Sequence, residues 1–206
     1  MNEDMCNEGM RNKDMRSENI GSNEDIDSEE EDMDGSKRVH LPKIVRRGEQ
    51  PYVAIGKSVR MDEFPTIADR LPELIGWVLG QGLEPEGAPF FRYRTVDMDG
   101  ESEVEAGVPL VSAPEPEGEI RVGTLPAGHY ATITHLGHPD GLLEVAGGLR
   151  EWAEHEGLEW DMTVVDGVEH WGCRLESYKT DPRVEPDLAN RETELAFRLA
   201  DLAPGG

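Results

Sequence analysis

The sequence predicts an α+β domain made of two strand-helix-strand-strand halves, and three observations carry that reading. A phrase is used twice: Trp77, four residues, then Gly82-Leu83-Glu84, and later Trp152, four residues, then Gly157-Leu158-Glu159. Each copy closes a run of apolar residues at helical spacing, and each such run follows one with strand-like alternation. A half of this kind has one apolar face that it cannot cover alone. Two pseudo-twofold halves are therefore expected to share an antiparallel sheet, with two helices on one side and a ligand groove between the halves.

The first strand is Tyr52–Arg60, with Tyr52, Ala54, Gly56 and Ser58 on one side and Val53, Ile55, Lys57 and Val59 on the other. Asp62 is a candidate cap, Pro65 suits a short turn, and the main helix runs from about Leu71 to Gln81. Its buried stripe is Leu71, Leu74, Ile75, Val78 and Leu79, and Gly82 ends it. Phe90–Val96 and Ser102–Val111 then pair as a hairpin across Asp97–Gly100. After the polar linker Pro114–Gly118, Ile120–Leu125 and Tyr130–His135 alternate as strands around Pro126-Ala-Gly128. Pro139-Asp140 opens the second helix, whose stripe is Leu142, Ala146, Leu149 and Ala153, with Leu143, Val145 and Trp152 beside it. Gly157 stops that helix, and Glu169–Lys179 with Glu192–Ala200 form the second hairpin.

Composition divides the 206 residues into a tail over 1–42, a folded domain over 43–202 and a flexible end over 203–206. Met1–Arg38 holds thirteen Asp/Glu against five Lys/Arg and no aromatic residue, so little apolar burial is there to offset ordering entropy and disorder is expected. Its methionines suggest soft-metal or helix contacts only weakly beside that default. The tail also has the character of a start codon placed too far upstream. The formal charge is -24, and the tail's excess of eight acids leaves the rest near -16, which disfavours direct nucleic-acid binding. No apolar run is long enough for a signal peptide or membrane span, and two cysteines, Cys6 and Cys173, make no disulfide framework. A cytoplasmic protein is expected.

Several motifs carry a family likeness between Lys43 and Leu202. They are Pro126-Ala-Gly-His-Tyr130, the strand end His135-Leu-Gly137, the helix segment Leu149-Arg-Glu-Trp152, Leu175-Glu-Ser-Tyr178 followed by Asp181-Pro182, and Glu192-Thr-Glu-Leu195. In their order and spacing the chain resembles the GyrI-like domain, the effector-binding domain of several AraC-type and MerR-type multidrug regulators. The resemblance implies a groove walled by aromatic residues with an acidic residue at its floor, a role that falls here to Glu176. It implies bulky, often cationic aromatic ligands, and for some stand-alone members hydrolysis of strained cyclopropane-bearing compounds. The acidic N-terminal stretch departs from the basic helix-turn-helix of a regulator.

Glu176 and Tyr178 share one face of a strand, because residues two apart point the same way. A carboxylate among aromatic rings is costly to dehydrate until a cation arrives, and each ring it stacks on adds about 0.5–2 kcal/mol. Tyr52, Phe91, Tyr93, Tyr130, Trp171 and Tyr178 are the candidate walls, with plain core packing the competing reading for each. For Glu176 the competing reading is an ion pair with Arg174, Arg92 or Arg94. A small hydrophobic or cationic molecule is thus the expected partner. In a hydrolase the same Glu176 is the general base, with Tyr178 or Tyr130 donating to the oxyanion. A third reading is a protein partner, with the chain inhibiting a larger enzyme such as gyrase. His129, His135 and His138 lack the convergence of a metal site, and Gly147-Gly148 lies within a helix rather than in a phosphate-binding loop, so neither metal nor cofactor is expected. Cys173 reads as a buried, inert thiol.

Overall fold

Alternating apolar residues lay down eleven strands within residues 40–201, the part of the chain that the computed structural model describes. In chain order they are β1 (Lys43–Arg47), β2 (Gln50–Val59), α1 (Pro65–Ala68), α2 (Arg70–Gly80), β3 (Phe90–Tyr93), β4 (Thr95–Val96), β5 (Ser102–Pro109), β6 (Arg121–Leu125), β7 (Gly128–Leu136), α3 (Leu142–His155), β8 (Met162–Val165), β9 (Val168–Trp171), β10 (Arg174–Tyr178) and β11 (Glu192–Arg198). The acidic tail up to position 39 and the end over 203–206 lie outside the described residues. Among the described residues no helix is long and apolar enough to cross a membrane.

Eight strands form one curled antiparallel sheet in the order β1-β7-β11-β10-β3-β5-β2-β6, and β4-β9-β8 form a second, small one. The order is symmetric about the β10–β3 contact, where Glu176 lies opposite Phe91. One half is β2, α1–α2, β3 and β5; the other is β7, α3, β10 and β11. The strand that leads into each half is given to the other: β1 pairs with β7, and β6 pairs with β2. For that reason β6 and β7, which flank Pro126-Ala-Gly128, do not pair with each other.

The repeated phrase is a repeated helix ending. Gly82 and Gly157 both have φ of 67°, and the amide two positions beyond each helix cap reaches back in the same way, Leu83 to the Val78 carbonyl at 3.1 Å and Leu158 to the Ala153 carbonyl at 2.9 Å. Only a residue tolerant of the left-handed region closes both helices this way.

Both helices cover the same face of the sheet. Leu74 and Val78 of α2 pack on Val53, Ile55 and Val108, while Leu142, Ala146 and Leu149 of α3 pack on Ala131, Leu195 and Phe197. Leu79, expected in the stripe of α2, is exposed; it falls at the stripe's edge, one residue before the helix ends. The opposite face buries Tyr52, Phe90, Tyr130, Cys173 and Leu175 in a core of its own. There the Phe90 and Tyr52 rings lie where side chains at Gly107 and Gly123 would otherwise stand, so that an added Cβ would collide with ring atoms.

The two predicted hairpins are shorter than the sequence suggested. Phe90–Val96 divides at Arg94 and Glu169–Lys179 divides at Gly172-Cys173, because β4 and β9 leave the main sheet and pair with each other. β1 and β8 are strands that the alternation did not reveal.

Candidate ligand groove

Strand parity places Arg174, Glu176 and Tyr178 of β10 on the helix-covered face, beside Phe91 and Tyr93 of β3. The Tyr93 hydroxyl donates to Glu176 Oε2 at 3.0 Å, and the Tyr178 hydroxyl donates to Glu176 Oε1. Phe91 meets Tyr178 edge-on at 5.6 Å. Phe64, from the turn before α1, meets Phe91 edge-on at 5.0 Å and lies nearly parallel to Tyr93, 12° apart at 6.3 Å. The half-buried carboxylate thus stands among four aromatic rings, and two of them carry hydroxyls aimed at it.

No arginine forms an ion pair with Glu176 among the described residues. Arg174 shares its face, but its guanidinium sits over the rings of Phe197, Trp171 and Tyr93 at 4.6, 5.3 and 5.4 Å, and its acid partner is Glu169 at 3.6 Å. Glu169 is itself held by Arg150 at 2.8 Å. Arg92 and Arg94 lie on the other side of the sheet, Arg92 donating to the Tyr52 hydroxyl and the Gly172 carbonyl and Arg94 pairing with Glu105. Burial pushes the Glu176 carboxyl up; the Tyr178 and Tyr93 hydroxyls and the more distant Arg174 charge lower it without cancelling that effect. Burial and the neighbouring carboxylate also push the Tyr93 and Tyr178 hydroxyls up, so both remain donors.

The fold agrees with comparison to known proteins. The family model described as the GyrI-like small molecule binding domain matches residues 40–197. The chain belongs to the GyrI-like family. In fold this GyrI-like domain is similar to the EcmrR C-terminal domain, with a TM-score of 0.63 at 18% identity, covering 79% of this chain and 99% of that one. It is similar to EcmrR in complex with DNA at a TM-score of 0.65 and 20% identity, covering 80% of this chain but only 59% of EcmrR. It is also similar to SAV2435 bound to tetraphenylphosphonium, at a TM-score of 0.50 and 12% identity, covering 78% of this chain and 94% of that one. No curated protein matches the chain.

Of the seven residues singled out in the sequence, the GyrI-like domain brings four together: Glu176, Tyr178, Phe91 and Tyr93. Tyr52 and Tyr130 point the other way. The Tyr52 hydroxyl donates to Glu105 Oε2 at 2.8 Å, with its pKa pushed up to about 12 by burial, and the Tyr130 hydroxyl donates to the Pro126 carbonyl at 2.6 Å. Trp171 is buried against Trp160 and Phe197, donates to Glu169 Oε2 at 3.0 Å, and meets the Arg174 guanidinium that also covers Tyr93. Phe64 is the neighbour that sequence reasoning missed; an aromatic residue ahead of the Pro65 turn was its only sign. His135 and His138 are joined through the His138 carbonyl at 3.0 Å, and no His/Cys/Asp/Glu group among the described residues could hold a metal ion. Cys173 is buried, and burial pushes its thiol up.

Proposed function

We propose that the groove binds bulky aromatic organic cations, with Glu176 as their counter-charge, and that the protein serves to sense or sequester such compounds. The observation that carries this reading is the half-buried Glu176 carboxylate, met by two tyrosine hydroxyls and, among the described residues, by no guanidinium ion pair. Hydroxyls satisfy its lone pairs but bring no positive charge, so a cation placed there recovers Coulomb energy that the fold leaves unused. The half-buried rings of Tyr178 and Phe64 offer cation–π and stacking contacts, backed by the buried Phe91 and by Tyr93, which Phe64 and the Arg174 guanidinium already cover. SAV2435, similar in fold, binds tetraphenylphosphonium, a cation of this class. With a formal charge of -24 the chain is assigned no direct contact with nucleic acid.

Titration of the full chain with tetraphenylphosphonium tests the reading. The melting temperature is expected to rise with ligand by mass action, and Glu176→Gln is expected to fold normally and lose the rise. Equal stabilisation of both proteins, or none with any aromatic cation, defeats the proposal. The Tyr178 hydroxyl on Glu176 also favours a second reading, a hydrolase in which Glu176 activates water and Tyr178 stabilises a developing oxyanion. Turnover of a strained cyclopropane electrophile that is lost in both Glu176→Gln and Tyr178→Phe would establish it.

A further inference from the structure

We propose that Arg174 is a built-in competitor for Glu176, held off by Glu169, and that it thereby determines how tightly the site takes an organic cation. The inference rests on the reading of Glu176 as counter-charge and deepens it. Arg174 and Glu176 stand two residues apart on one face of β10, about 7 Å along the strand, a span that an arginine side chain can cover. Even so, among the described residues the guanidinium makes its ion pair elsewhere, with Glu169 at 3.6 Å. It lies over the rings of Phe197, Trp171 and Tyr93, its side chain only 14% exposed. A guanidinium buried this far needs an acid partner, and two acids compete for it, Glu169 from β9 and Glu176 from its own strand.

Glu169 holds Arg174 because it is itself fixed. Its Oε1 accepts from Arg150 Nη2 at 2.8 Å and its Oε2 from Trp171 Nε1 at 3.0 Å. Glu176 is linked to the same arginine through Tyr93, whose ring lies under the guanidinium and whose hydroxyl donates to Glu176 Oε2. The Arg174 charge reaches Glu176 from there, since it lowers that carboxyl's pKa without pairing with it. Arg150 and Arg174 share one carboxylate, which leaves one surplus positive charge beside Glu176. A ligand cation therefore meets the attraction of Glu176 less the repulsion of that surplus. Neutralising Arg174 leaves Arg150 and Glu169 balanced, with nothing to oppose the ligand. Neutralising Glu169 doubles the surplus and releases Arg174 to turn to Glu176. The two partners of one ion pair thus act on the ligand with opposite signs.

The test is calorimetric titration of the full chain and its variants with tetraphenylphosphonium. Arg174→Met, uncharged and of similar length, is expected to bind about tenfold more tightly than the native chain. Glu169→Gln, which keeps an acceptor for Trp171 Nε1, is expected to bind at least about tenfold more weakly. A purely structural ion pair would weaken binding in both. Circular dichroism checks the folds; if Arg174→Met does not fold, Arg150→Met decides. Arg150 is 39% exposed, and its loss removes the same surplus from a better solvated position, with a gain of about threefold expected. Native binding that Glu176→Gln abolishes, with no gain in Arg174→Met or no loss in Glu169→Gln, overturns this inference alone. Absence of binding in both the native chain and Arg174→Met overturns it together with the reading of Glu176.

Discussion

Where the first half of the domain presents Phe91 and Tyr93 at the seam, the second presents Glu176 and Arg174 on the same face, with Glu176 directly opposite Phe91. The same pairing sets Ser177 against Phe90 and Leu175 against Arg92. Away from the seam the halves agree closely, down to the 67° φ of Gly82 and Gly157 and the back-bonded amides that follow. The difference separates two kinds of constraint. Helix ends are dictated by backbone geometry that both halves must satisfy, whereas each seam side chain meets an unlike partner from the other half. A symmetric seam would set carboxylate against carboxylate or ring against ring; the asymmetric one sets a carboxylate among rings. Each half also adds something of its own, Phe64 before α1 in the first and the β8–β9 pair with Trp171 in the second, which takes β4 of the first half as the third strand of the small sheet.

The largest test of this comparison concerns the matched cores. Leu74 and Leu149 are both fully buried, so Leu74→Ala and Leu149→Ala are each expected to destabilise by about 2–5 kcal/mol. Because β1 and β6 tie each half to the other, both variants should shift one common denaturant transition, seen alike by tryptophan fluorescence and circular dichroism. Two separate transitions would mean that the halves fold independently. A smaller, sharper test lies in the helix ends: Gly82→Ala and Gly157→Ala are each expected to cost about 1–2 kcal/mol, and by similar amounts. Unequal losses would show that the two endings are alike only in outline.

The smallest effects come from the seam itself. Burial holds the Glu176 carboxyl above the ordinary glutamate range, so as pH rises from that range through the raised folded value the unfolded chain ionises first. The protein therefore loses stability relative to Glu176→Gln across that window, and below it the difference closes. Cation affinity moves the opposite way, growing as Glu176 ionises. Tyr178→Phe removes a donor to the carboxylate and should carry both profiles to higher pH, whereas Phe90→Leu on the other face should leave their midpoints where they are. Paired melting and titration curves across pH would show either.

Much of this arrangement could be read from the chain. The repeated Trp77 and Trp152 phrases mark real helix endings, and the two-residue spacing of Glu176 and Tyr178 puts both on one face whatever the strand pairs with. Tyr52 and Tyr130 were harder. Which face of a neighbouring strand matches the face of Glu176 depends on register, and register depends on partners far away in sequence. Tyr130 follows a connection after which β6 and β7 join different halves, so hairpin reasoning says nothing about its direction. Phe64 reaches the Glu176 cluster from an irregular turn where periodicity is silent, and Lys43–Arg47 has only two apolar residues in five to mark it as a strand.

The trading of β1 and β6 has an architectural consequence. Cut at the Pro114–Gly118 linker, the polypeptide would yield fragments each carrying a border strand that fits only the other's sheet. Neither piece could finish itself, but mixed together they are complementary, and two identical copies of one such piece would have every reason to embrace as a dimer. A single-module forebear that closed in this way would already have owned a central crevice, and fusing two copies would then have freed its walls to become different.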